Sequence, residues 1–169
     1  MTVEEFLKLP ELEGEKMELV DGEEPGKYVH EITKSNLLHL LAPWLARNSE
    51  GKVFCCSMFE LNEANSLIPD VSILFPGPIL PGNTGLLQGS PDLAIEVIST
   101  DKASELEAKI ELYLAHGSKS VWVVFPELRA VRIFCADGHS RKFEQNQILE
   151  DPTMLPGFQT PVTTIFEGI

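Results

Sequence analysis

Glu96 stands inside Leu93-Ala94-Ile95-Glu96-Val97-Ile98, a run whose other members are all apolar. Such a run reads as a strand covered on both faces. An ionised carboxylate there is costly unless it is paired or bound to a metal, and buried acids of this kind gather at working sites. The plain alternative is an edge strand with Glu96 turned to water. Asp70 offers a second carboxylate. It follows Pro69 and leads into Val71-Ser72-Ile73-Leu74-Phe75. Alone, an acid at a strand start is usually a solvated end residue. Beside Glu96 it supplies what a hard divalent cation needs, which is oxygen ligands from more than one element. Lys109 is the cation best placed to join them. On the helix predicted after the Glu96 strand, Leu106, Ile110, Tyr113 and Leu114 form an apolar stripe that Lys109 borders. Its amine either enters the site or reaches past the stripe to water.

Other residues weigh less. Asp92 shares a face with Ala94 and Glu96 by the two-residue period, but after Pro91 it reads slightly better as a turn residue. Glu18 lies opposite Met17 and Leu19 on a predicted strand, so on its own it is a solvent-facing acid. His30 stands near the start of a long helix, where it could cap or line something. His116 falls at a helix end where the dipole explains it. No histidine pairs with a serine or cysteine in a nucleophile motif. Gly82-Asn83-Thr84-Gly85 lacks the lysine that would make a phosphate loop.

The elements that must position these groups follow from periodicity. Thr2 to Glu5 has the form of a capping box, and the helix it starts ends before Pro10. Lys16 to Val20 predicts a strand entering an Asp21-Gly22 turn, and Glu23 to Lys27 an acidic loop. From about Val29 to Arg47, Leu37, Leu41, Trp44 and Leu45 predict a helix that Pro43 kinks or divides. Lys52 to Leu61 and Leu67 to Phe75 are β-rich, and Pro76 to Gly89 is a loop and the best candidate for a mobile flap. A second capping box, Ser104 to Glu107, opens a helix that stops at Gly117. Val121 to Phe125 is a covered strand. Ala130–Ala136 and Arg141–Gln145 form a meander around Asp137-Gly138, and the proline-containing tail packs over an edge. This order predicts an α/β (α+β) fold with a central mixed sheet flanked by helices. Residues 1–169 are expected to form one domain.

Composition narrows the class. Of 169 residues, 43% are hydrophobic and 23% charged, as in an ordinary globule. No run reaches the ~18 apolar residues of a membrane span, and the start lacks a signal peptide's basic and apolar segments. The expected location is the cytoplasm. Cys55, Cys56 and Cys135 make a poor disulfide framework. Adjacent strand residues face opposite sides, so Cys55 and Cys56 read as small buried hydrophobes. The net charge of −13 argues against a tight non-specific nucleic-acid binder. It leaves room for a nuclease, because clustered carboxylates that hold a metal also make a chain acidic.

Glu18-Leu19-Val20-Asp21-Gly22, His30, Pro69-Asp70-Val71 and Gly89-Ser90-Pro91-Asp92 through Ser99 occur in a familiar order. Lys109 to Tyr113, Gly117, Val121-Trp122-Val123-Val124 and Leu155-Pro156-Gly157-Phe158 continue it. The set resembles the Uma-type restriction-endonuclease-like family of the PD-(D/E)XK nuclease superfamily, over nearly the whole chain. The resemblance implies a restriction-endonuclease-like fold and a metal-dependent phosphodiesterase site. Asp70 matches the first motif acid, Glu96 the second and Glu18 a further acid near the site. These three are the expected ligands of Mg²⁺ or Mn²⁺. Ile98 occupies the usual motif-lysine position, and Lys109 stands where related families move it. The chain departs from the pattern in a trimmed hairpin after Gly22 and in Phe125, where an aspartate is common.

The expected function is a nuclease with DNA as substrate and catalytic Asp70, Glu96, Lys109 and Glu18, acting as a homodimer without a membrane. The competing expectation is a catalytically silent scaffold or protein-interaction domain that retains the fold. Carboxylates gathered without metal repel one another. Neutralising either Asp70 or Glu96 is therefore expected to raise the melting temperature of the metal-free protein, and Lys109→Ala to lower it.

Overall fold

A computed structural model describes residues 25–77, 87–98 and 103–169, leaving aside the side chains of residues 25–27, 103 and 104. The expectations for Thr2–Glu5, for the Lys16–Val20 strand with Glu18, and for most of the Pro76–Gly89 loop lie outside the described residues.

The chain first forms a long helix, α1 (Pro25–Asn48). It starts inside the segment expected to be a loop, with Pro25 at its first position, where a missing N–H costs nothing. Leu37, Leu41 and Leu45 recur every fourth residue and are buried. Pro43 lies inside the helix without dividing it. Both Pro43 and His39, whose carbonyl loses its partner, are on the exposed side, so water can serve that carbonyl.

Strands β1 (Lys52–Cys55), β4 (Val71–Leu74), β6 (Leu93–Val97), β7 (Ser120–Phe125), β8 (Ala130–Cys135) and β9 (Ser140–Phe143) form a six-stranded sheet in the order β1-β4-β6-β7-β8-β9. Only the β6–β7 pair is parallel among these described strands. The crossover between them is α2 (Ala103–Ala115), closed by Gly117 at a φ of +114°. That left-handed position is why glycine ends the helix. A small side sheet joins β2 (Phe59–Asn62), β3 (Asn65–Leu67) and β5 (Leu87–Gln88). The tail adds a hairpin of β10 (Ile148–Glu150) and β11 (Gln159–Pro161), then a single helical turn, α3 (Val162–Ile165).

Helices cover both faces of the sheet. Val71, Ile73, Leu93, Ile95, Val97, Trp122 and Val124 pack toward the leucines of α1. Ala94, Val121 and Val123 pack toward Leu106, Ile110 and Tyr113 of α2. Strand β6 is thus buried on both sides, as its apolar run predicts, and Glu96 lies on the α2 side. The tail does not pack over an edge. Leu149, Met154, Leu155, Phe158, Val162, Ile165 and Phe166 complete the α1-side core. Apolar residues between the prolines decide this, since each buries surface that an edge position would leave wet.

Asp151, also buried, ties that tail to the sheet. Its Oδ2 accepts hydrogen bonds from Ser120 Oγ at 2.7 Å and Trp122 Nε1 at 2.9 Å, and its Oδ1 accepts from the Met154 amide at 3.2 Å.

The cysteine expectation fails. Cys55 and Cys56 are both exposed. Strand alternation ends at Cys55, because Cys56 takes a left-handed backbone with φ +50°.

Candidate active site

Asp70 immediately precedes β4, and β4 pairs antiparallel with β6 through Val71↔Ile95. One step beyond that pair, Asp70 falls opposite Glu96, so the two carboxylates come from adjacent strands. The Asp70 Oδ2 atom accepts a hydrogen bond from the Val97 amide at 2.8 Å, extending the ladder with a side chain where the backbone pairing stops. Its second partner comes from the α1 side, where His30 Nε2 lies 3.2 Å from the same oxygen. Burial pushes the Asp70 carboxyl up. The His30 and Val97 hydrogen bonds, with the charges of His30 and Lys34, outweigh that and hold it below its ordinary value.

Glu96 is held from the other face. Tyr113 Oη donates to Oε1 at 2.8 Å, and Lys109 Nζ donates to Oε2 at 3.1 Å. Burial raises the Glu96 carboxyl. The Lys109 charge and the two hydrogen bonds oppose this without cancelling it, and the nearby Asp70 charge adds to the rise. Burial and the Glu96 charge push the Tyr113 phenol far up, so it stays a neutral donor.

Two helical pairs at i,i+4 spacing therefore flank the carboxylates. Lys109 and Tyr113 reach from α2. His30 and Lys34 reach from α1, with Lys34 Nζ bound to Glu31 Oε1 at 2.7 Å. Residues four apart share a helix face, which lets Lys109 and Tyr113 both bond Glu96, while Lys34 adds only its charge to the His30 bond at Asp70.

Asp70, Glu96 and Lys109 are thus brought together, while Glu18 lies outside the described residues. Asp92 is at the other end of β6. Its Oδ2 accepts from the Phe75 amide at 2.9 Å and its Oδ1 pairs with Lys119 Nζ at 2.9 Å, so it serves the turn. Lys34 and the Tyr113 hydroxyl are additions, and His30, expected only to cap or line something near the helix start, meets Asp70. The signal for Tyr113 was its four-residue spacing from Lys109, hidden because a tyrosine in an apolar stripe reads as core. The expectation for Asp70→Asn also changes. The two acids are not equivalent, because Asp70 is stabilised as the anion and Glu96 is not.

The donor set fits a hard divalent cation. Both acids present oxygen, each carboxylate oxygen has two lone pairs, and cations of this kind complete their shell with water and carbonyls. No cluster of three or more acidic, histidine or cysteine ligands occurs among the described residues, so the chain here offers two carboxylates.

The His30–Asp70 pair predicts a pH dependence. The Asp70 hydrogen bond raises His30 above its ordinary 6.5, with burial opposing. A group raised on folding stabilises fully below its unfolded value and loses that contribution as pH rises through the folded value. Metal-free protein is therefore expected to lose up to about 1 kcal/mol across that interval, and His30→Gln to flatten the slope. Urea midpoints measured with a chelator across neutral pH check this. A slope unchanged in His30→Gln would assign the titration to another group.

Several comparisons place the chain among known proteins. The fold is similar to that of a putative nuclease belonging to DUF820 from Anabaena variabilis, with a TM-score of 0.69 over 98% of this chain and 97% of that one. At 20% identity this likeness speaks to the fold. No curated protein matches the sequence. The family model described as "Uma2: Putative restriction endonuclease" matches residues 3–163, nearly the whole chain, so the chain belongs to that family.

Proposed function

We propose that the protein is a divalent-metal-dependent nuclease that hydrolyses phosphodiester bonds in DNA. The observation that carries this reading is the meeting of Asp70 and Glu96 from adjacent strands, with Lys109 on the second acid. Asp70 and Glu96 would hold Mg²⁺ or Mn²⁺, with Glu18 proposed as a third ligand from the family pattern. Such an ion, when bound, supplies an acidified water and charge neutralisation at phosphate.

The chain's own residues do the rest. Tyr113 fixes one oxygen of Glu96 and leaves the carboxylate oriented. His30 and the Val97 amide do the same for Asp70. Lys109 keeps about a third of its side chain exposed (34%), so its ammonium can turn from Glu96 toward an incoming phosphate or the attacking water. Burial of the α2 stripe beneath it keeps the lysine stem fixed. The −13 charge favours the scaffold reading, because it slows encounter with a polyanion. A cleavage assay separates the two. Purified protein with Mg²⁺ or Mn²⁺ is expected to nick plasmid or cut single-stranded circular DNA, and chelator to stop it. Failure on both substrates with both metals would leave the scaffold.

A further inference from the structure

Cys55 and Cys56 sit side by side in sequence and, unusually, also in space. On a regular strand their side chains would point to opposite faces. The left-handed backbone of Cys56 turns them together, and their sulfurs lie 3.6 Å apart, both at the surface. The pair is also tied to the site. The Cys56 amide donates to the Asp70 carbonyl at 3.2 Å, and Cys56 Sγ lies 3.9 Å from that oxygen. From α1, Lys34 Nζ lies 3.7 Å from Cys56 Sγ. An exposed sulfur beside an ammonium is the setting of reactive cysteines.

We propose that Cys55 and Cys56 form a reversible oxidation site, closed by hydrogen peroxide into a disulfide between adjacent residues, and that closure shifts the Asp70 main chain bonded to Cys56. Cys56 Sγ attacks a peroxide oxygen and the O–O bond breaks, giving a Cys56 sulfenic acid and one water. Cys55 Sγ then attacks the Cys56 sulfur and expels the oxygen as a second water. The peroxide gains two electrons, the two sulfurs lose them, and both thiol hydrogens leave in the waters. Adjacent Cα atoms are about 3.8 Å apart, short of the roughly 4.4–6.8 Å that disulfides prefer. The bond is therefore strained and easily reduced, as regulatory disulfides are. Its sulfurs must close from 3.6 Å to about 2.05 Å, and the left-handed Cys56 backbone, which holds the Asp70 carbonyl, takes up the movement.

The thiol chemistry stands apart from the nuclease reading; only an effect on cleavage would rest on it. The test uses the full chain carrying Cys135→Ser, so that the pair supplies all the thiols. Peroxide is expected to abolish both Ellman-reactive thiols and lower the intact mass by two hydrogens, with no cross-linked chains, and dithiothreitol to restore both. With Cys55→Ser added, the remaining sulfur should gain oxygen instead. Oxygen added to both sulfurs, or cross-linked chains, would overturn the site. The coupling is read at the Val97 amide, bonded to Asp70 Oδ2. Its hydrogen exchange should be about tenfold faster after oxidation. Unchanged exchange in a protein that has formed the disulfide would overturn the coupling. DNA cleavage by the reduced protein, measured in parallel, reports separately on the nuclease reading.

Discussion

Glu96→Gln is expected to cut metal-dependent cleavage by about 10²–10³-fold while raising the melting temperature of the metal-free protein by a few degrees. Glutamine keeps the size of the side chain and can still accept from Lys109 and meet the Tyr113 hydroxyl, but it brings no charge to a strand closed on both faces. Burial raises the Glu96 carboxyl, and Lys109 and Tyr113 recover only part of that cost. An acid raised on folding makes the folded state less stable above its folded value, and the penalty fades as pH falls through that value. The advantage of Glu96→Gln should therefore shrink in acid. Asp70→Asn should go the other way. Burial works against that acid, but His30 and the Val97 amide hold it below its ordinary 3.8. The ionised form thus contributes stability that is present above 3.8 and lost as pH falls through the folded value. Asp70→Asn should cost on the order of 1 kcal/mol near neutrality. Mn²⁺ should stabilise the wild type and neither variant to the same extent. Thermal melts with chelator and with Mn²⁺ decide the matter. Metal-free melts that move in the same direction for both variants would refute the inequality of the two acids. Cleavage that survives Glu96→Gln would assign it to another site or a contaminant.

The largest stability effect is expected far from that site. Asp151→Ala should cost about 2–4 kcal/mol, because buried donors lose a charged acceptor and each group left unsatisfied costs about 1–3 kcal/mol. The carboxylate receives Ser120 and Trp122 from β7 and the Met154 amide from the tail. Alanine leaves the buried Ser120 and Trp122 donors without this acceptor and a cavity beside them, while the Met154 amide keeps the carbonyl of residue 151 at 3.1 Å. Asp151→Asn should cost less, because its carbonyl oxygen can still accept from one side. Urea unfolding measures both, and a loss below about 1 kcal/mol for Asp151→Ala would mean that water takes the carboxylate's place.

The parts of this molecule written in local pattern were legible from sequence. Val121 to Phe125 and the run around Glu96 read best as covered strands, and the α1 leucines as a helix face. Asp70 and Lys109 followed because each stood next to such a pattern. What escaped depends on partners distant in the chain. Asp151 looks like an ordinary acid before Pro152, and nothing local says that Trp122 will donate to it. His30 finds Asp70 across forty residues. Tyr113 was counted for its ring, while its hydroxyl mattered for Glu96. Cys56 broke the alternation rule because its backbone is set by the Asp70 carbonyl it bonds, and no periodicity reports that.

The tail's place in the core has a consequence during synthesis. During synthesis α1 precedes the described strands that cover its leucines, and the core on that side is complete only when the chain from Leu149 to Phe166 has emerged. Asn36 on that helix even waits for the carbonyls of Ile165 and Glu167, bonded at 3.0 and 2.9 Å. Local pairs such as β8–β9 can close early, but a layer that joins α1 to residues 149–166 cannot. Until residues 149–166 emerge, the nascent chain carries a partly uncovered apolar core, the interval in which chaperone binding or aggregation competes with folding.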